Sequence, residues 1–141
     1  MKLSNIFSLL FIICLTTISA NVFSQKSHKE MIVGKWQPVS STREAYDFNG
    51  NRDVKTDSKF SSNDIMQFNT DGSIIDGGQW YFSYSLDTDQ KTLLLFDEAG
   101  YEKKFEVEQL DKTTMKLVMR VAETHRDRTT RGIWTLVFKR K

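Results

Sequence analysis

In "TMKLVMRV", residues 114–121, apolar side chains return at every second position: Met115, Leu117, Met119 and Val121 share one face, with Lys116, Val118 and Arg120 on the other. A period of two belongs to a strand, because successive strand side chains point to opposite faces, whereas a helix repeats every 3.6 residues. The rhythm recurs along the chain. In "KKFEVEQL" it sets Phe105 and Val107 against Lys104, Glu106 and Glu108, and in "GIWTLVFKRK" it sets Trp134, Leu136 and Phe138 against Thr135, Val137 and Lys139. "DIMQF" places Met66 with Phe68, and "GGQWYFSYSL" aligns Trp80, Phe82, Tyr84 and Leu86. Between these runs stand turn residues: Asn69-Thr70-Asp71-Gly72, Asp87-Thr88-Asp89-Gln90, Asp97-Glu98-Ala99-Gly100 and Asp111-Lys112. Strands with one apolar face, joined by short polar turns, predict an antiparallel meander.

Such faces must be covered, and without long helices the sheet must close on itself or fold into two layers. Residues 40–61 are the hardest to read, although Phe48-Asn49-Gly50-Asn51 is a hairpin signal. Closure of an up-and-down barrel favours an even strand number. Seven strands become eight if residues 42–48 form one strand and 52–69 form one long, interrupted strand. The expectation is therefore an all-β, antiparallel up-and-down β-barrel of about eight strands, with room for a short helix near Ser27 to Val33. The inward set is heavy in Phe, Trp, Met and Leu, which predicts a crowded interior holding a small cavity or none.

The first residues carry one basic side chain, Lys2, then an apolar run from Ile6 to Leu15, then small and polar residues. This pattern predicts a secretory signal peptide over residues 1–24, cleaved after Ser24 or, as the alternative, after Ala20. The run is shorter than the roughly 20 apolar residues of a spanning helix. Residues 25–141 then form the mature domain, exported to the periplasm or outside the cell, with no transmembrane segment, and residues 25–30 are read as a frayed lead-in. The only cysteine, Cys14, lies inside the leader after Ile13, which argues against lipid attachment and leaves no disulfide to staple the fold. With 20 basic and 18 acidic residues the chain is close to neutral, so nothing global points to nucleic acid.

Gly34-Lys35-Trp36 on the first strand, the "FNTDG" turn, the "GGQW" entry, the "VEQLDKTTMKLVM" hairpin and the terminal "WTLVFKRK" together resemble the bacterial lipocalin-like domain family of exported proteins. That resemblance implies a calycin-type barrel and a small hydrophobic or amphiphilic ligand. In it Trp36 matches the tryptophan that closes one barrel end beside Gly34. Arg140 matches the basic side chain that packs across the indole, with Arg131 and Lys139 as alternatives. The longer chain, disulfides and C-terminal helix of the larger lipocalins are absent here, which argues against a roomy calyx.

Candidate ligand-lining residues are Phe68, Trp80, Phe82, Tyr84, Leu117, Met119, Trp134 and Leu136. Tyr84 stands out because an inward phenol needs a hydrogen-bond partner. The stretch "AETHRDRTTR", residues 122–131, read as a polar loop at the open end, offers Arg126 and Arg128 as contacts for an anionic head group whose tail lies among Phe82, Leu117 and Met119. No catalytic constellation is visible, so no enzyme is expected. There is no glycine-rich phosphate loop, no nucleophile elbow and no set of ligands spaced for a metal, and no cofactor is expected. The alternative to ligand enclosure is a filled barrel that binds a protein or an envelope component. The sequence leaves the oligomeric state open.

Overall fold

The computed structural model describes residues 27–87, 89 and 91–141. The predicted leader, residues 1–24, lies outside the described residues, as do Thr88 and Gln90 of the third predicted turn. A short helix α1 (His28–Ile32) precedes nine strands: β1 (Gly34–Tyr46), β2 (Arg52–Asp57), β3 (Met66–Phe68), β4 (Ile74–Asp76), β5 (Ser83–Leu86), β6 (Thr92–Phe96), β7 (Glu102–Leu110), β8 (Thr114–His125) and β9 (Arg128–Arg140). Residues 28–30, expected to be frayed, are helical. The Glu30 carboxylate accepts the Ser27 N–H at 3.3 Å and so ties down the first turn.

All pairing is antiparallel, in the order β4-β3-β1-β9-β8-β7-β6-β5, with β2 also on β1. β1 and β9, the first and last strands, pair over almost their whole lengths and so close the meander. The remaining seam, between β4 and β5, is thin. It holds one bridge, Ser73 to Ser83, flanked by the Ile74 N–H bond to Phe82 O and the Tyr84 N–H bond to Gly72 O. The result is an antiparallel, nearly closed barrel of eight staves.

Those staves are assembled only in part as the sequence suggested: residues 52–69 do make one interrupted stave, but residues 42–48 do not make another. Residues 42–46 continue β1 instead of forming a strand of their own. β3 and β2 share the other edge of β1, at Gly34–Trp36 and Ser41–Tyr46 respectively, so together they make one interrupted stave. The interruption coincides with the only proline, since Pro38 cannot donate to a ladder and a bulge follows between Pro38 and Ser40. Gln37 spans the gap by donating its side-chain amide to Ser61 O at 2.9 Å. The eighth stave comes from "GSIIDGGQWYFSYSL", which is split into β4 and β5 around residues 77–82.

Residues 122–131, expected to be a loop, are mostly strand. β8 and β9 pair out to His125 and Arg128, leaving a two-residue turn with Arg126 at φ 46° and Asp127 at φ 63°. Two consecutive left-handed residues give the turn whose twist matches a hairpin. Elsewhere an aspartate at the turn entry substitutes for a backbone acceptor: Asp47 takes the Asn49 and Asn51 N–H groups, and Asp97 takes those of Ala99 and Tyr101.

The core runs through the barrel from Ile32 and Trp36 at the helix end up to Leu95 and Phe105. Beyond it the long strands β1, β8 and β9, with β2, project as a sheet open to water on both faces, and β2 is exposed at every residue.

Candidate functional site

The two barrel ends are built differently. At the helix end Trp36 is wholly buried, and its indole N–H donates to Ile32 O at 2.7 Å, pinning α1 across the opening. Arg140, opposite Trp36 in the β1/β9 register, lays its guanidinium 4.2 Å from the ring centroid. Its N–H groups donate to Lys112 O and Val33 O, both at 2.9 Å, and to Met31 O. Gly34 makes room for it: at φ +131° a Cβ would stand 2.6 Å from Arg140 Nη1. Gly34, Trp36 and Arg140 thus converge at the plugged end, while Lys139 instead donates to Thr114 Oγ1 and Arg131 stacks on Tyr46 far along the sheet.

Above the plug, Leu93, Phe105, Met115 and Leu117 have no accessible surface at all, and Phe68 and Leu95 have 1%. A void able to hold a water molecule would leave accessible area on its walls, so no such void adjoins these side chains. Phe68 and Leu117 are therefore core and do not line an open cavity, and Leu136, 9% exposed, is buried in the same cluster. Tyr84 packs edge-on to Phe68, with ring centroids 5.0 Å apart, and its hydroxyl donates to Asn69 O at 2.7 Å. Burial, then Asp71, raises its pKa, and its hydrogen bond is already spent on the fold.

Trp80 and Phe82 leave the expected lining altogether. The predicted strand breaks at Gly77-Gly78, and the Asp76 carboxylate gathers the N–H groups of Gly78, Trp80 and Tyr81 into a loop at the open end. There Trp80 is 73% exposed and Phe82 46%. Arg126 and Arg128 also lie elsewhere, at the tip of the β8/β9 arm. Arg128 sits over Phe48 at 4.7 Å. It is six residues from Trp134 along β9, about 20 Å at the usual strand rise, so the arginines do not meet the apolar candidates.

Met119 and Trp134 do meet. They face each other across β8/β9 and form the half-buried upper edge of the core, with Phe105 tilted against Trp134 at 5.7 Å. The Trp134 N–H donates to Ser41 Oγ at 2.8 Å. Over the same ring stand Arg43, 5.0 Å from the centroid, and Lys103, 5.4 Å from it, and Lys103 also lies 5.9 Å from the Tyr81 ring.

Arg43, Lys103 and Tyr81 were not among the sequence candidates. A signal existed for Lys103, which has the parity of Phe105 and Val107. Arg43 fell in the region whose strands could not be assigned, and Tyr81 lies where alternation fails.

Two open surface clefts lie away from this mouth. One, of about 410 Å³, is lined by Tyr46, Arg120, Ala122, Arg131 and Ile133 on the outside of the projecting sheet. The other, of about 530 Å³, lies beside α1 between the turn after β3 and β5, with Val33, Tyr84 and Leu86 in its wall. Among the described residues no three His, Cys, Asp or Glu side chains converge as a metal would require, and no helix is long and apolar enough to cross a membrane.

Residues 32–117 match the model of the lipocalin-like domain family, a span that holds the plug tryptophan and most of the core but stops within β8. Comparison with curated proteins and with solved structures gave no match. With more than half of its length matched, and a nearly closed antiparallel barrel plugged at one end, the chain belongs to the lipocalin-like domain family.

Proposed function

We propose that this protein binds a small amphiphilic molecule at the barrel mouth, on top of a filled core and not within it. A lipocalin-like barrel is a ligand-binding type of domain, and its members are in general binding proteins and not enzymes. The observation that carries the mouth reading is the half-buried surface of Trp134, Met119 and Tyr81 at the end opposite the plug, where core side chains meet water beside Arg43 and Lys103, two cations with no ion pair among the described residues. A concave apolar floor with a few convergent polar groups is the usual form of a small-ligand site. The leader-like residues 1–24 support an exported protein working in the periplasm or outside the cell.

The test is a titration with the uncharged fluorophore N-phenyl-1-naphthylamine. Saturable binding that weakens on Trp134→Phe and Met119→Ser, and is unchanged by Trp80→Phe, is the expected outcome. No displaceable binding would remove the mouth reading.

A second reading has its own support. The filled core suits a barrel that acts through its outer surface on a protein or envelope component, and the 410 Å³ cleft with Tyr46, Ile133 and Arg131 is where it would act.

A further inference from the structure

The mouth residues fall into one row. The register sets Lys55 of β2 opposite Arg43 of β1, Arg43 opposite Trp134 of β9, and Trp134 opposite Met119 of β8. Directly opposed residues of an antiparallel pair share a face, so these four side chains stand in line across the inner face, cationic at one end and apolar at the other. At about 4.8 Å between strands the row spans roughly 14 Å. Lys103 reaches the same indole from β7, the strand beyond β8.

The cations at this row are unspent. Among the described residues, neither Arg43 nor Lys103 lies within ion-pair distance of a carboxylate, and no side-chain hydrogen bond joins either to the protein. A guanidinium has five N–H donors and an ammonium three, all left to water here. The indole face attracts a cation, at about 0.5–1 kcal/mol in an exposed site, but it accepts none of those donors. Two carboxylates share the face of β2 with Lys55: Asp53, opposite Ala45, and Asp57, opposite Ser41. They flank the row one step to either side and oppose an anion at its Lys55 end, which narrows the favourable position to the space over Trp134 between Arg43 and Lys103.

We infer, resting on the mouth reading, that the ligand is a compact anion with a flat apolar body. Its carboxylate or sulfonate group is held by Arg43 and Lys103, and its body lies on Trp134 and Met119. The filled core sets the size. With no accessible surface on Phe105 and Leu117, a long acyl chain has nowhere to descend, so the whole ligand, head and body, is no longer than the row. The arginines at the arm tip play no part, being about 20 Å away.

The experiment compares two fluorophores of nearly the same body, the anionic 1-anilinonaphthalene-8-sulfonate and the uncharged N-phenyl-1-naphthylamine, on the full mature protein. The anion is expected to bind at least tenfold tighter at low salt, and the advantage shrinks as salt is raised. Arg43→Gln and Lys103→Gln should each weaken the anion about tenfold and leave the neutral probe unchanged. Arg126→Gln should move neither. Both side chains are exposed, and near-ultraviolet circular dichroism verifies that the variants keep the fold. Equal affinity for the two probes, or an anion advantage that survives both substitutions, overturns the anion assignment and leaves the mouth reading standing. Failure of both probes to bind overturns the two together.

Discussion

At the plug end Arg140 lies 4.2 Å from the centre of the Trp36 ring, and at the mouth Arg43 lies 5.0 Å from that of Trp134, so each end of the barrel sets an arginine over a tryptophan. The pairs differ in where the guanidinium N–H groups go. Those of Arg140 end on three main-chain carbonyls from α1, the residue after it and the β7/β8 turn, whereas those of Arg43 end on no protein acceptor among the described residues. Stacking alone therefore does not separate a structural pair from a functional one. The donors do, because a cation whose hydrogen bonds are complete is part of the fold, and one whose bonds are not complete is free to take a ligand.

The comparison predicts its largest effect at the plug. Trp36→Ala should cost about 3–5 kcal/mol, as removal of a large buried side chain does, and should also release α1 by deleting the bond to Ile32 O. Chemical denaturation measures the first and hydrogen exchange of Glu30 and Met31 the second. A loss under 1 kcal/mol would mean that the plug is not where this barrel is held. Gly34→Ala comes next, at about 1–3 kcal/mol. The clashing atom is the far end of an arginine, ordinarily easy to displace, but this guanidinium is fixed by three carbonyls and a ring, and the φ of +131° strains any side chain in its own right.

How legible each end was in the sequence follows from the same contrast. The plug could be read, because Gly34, Trp36 and Arg140 sit at fixed positions on two regularly alternating strands that pair with each other. Regular alternation also made the barrel itself legible, from β6 to β9 above all. The mouth could not be read in the same way. Trp80 and Phe82 obey the alternation on paper, yet Asp76 and two glycines pull the chain out of the sheet just before them, a local hydrogen-bond choice that period counting does not register. Residues 122–131 failed for the opposite reason. Polar side chains suggested a loop, but a strand that projects into water has no apolar face to display, so His125 and Arg128 pair without any periodic signal. Arg43 was missed because assigning a face to it required knowing that β1 runs on to Tyr46.

That projecting arm offers an intermediate effect of the opposite sign. Arg126 and Asp127 both adopt left-handed conformations that asparagine and glycine accept with less strain. Replacing the pair by Asn-Gly should raise stability by about 1 kcal/mol in urea unfolding. No gain would show that the arm folds and unfolds apart from the barrel. Acid should act in turn at the plug. The Asp111 carboxylate accepts the Thr113 and Thr114 N–H groups, and with the Gln109 side chain they hold its pKa far below the ordinary carboxylate range. A carboxyl depressed by folding stabilises the native state above its unfolded pKa of about 3.9, and that contribution is lost as pH falls through the folded value. Because Lys112, in the same turn, accepts from Arg140, the helix end should loosen first below about pH 4. Asp111→Asn should reduce stability at pH 7, and its gap to the parent protein should narrow steadily as the pH falls below about 4; a difference independent of pH would exclude the carboxylate as its source.

The smallest effect belongs to the tryptophan that looks most conspicuous in the sequence. Trp80 is 73% exposed, and its ring lies back over Gly78, where a Cβ would come within 2.7 Å of Trp80 Cδ1. The loop that carries it is held by Asp76 through backbone N–H groups alone, so the indole can be removed without breaking any of those bonds. Trp80→Ala should therefore change stability by no more than about 0.5 kcal/mol, in contrast to Trp36→Ala. A cost close to that of Trp36 would mean that the rim packs as the plug does, and that the water-facing surface at the mouth, on which the ligand reading stands, is closed in solution.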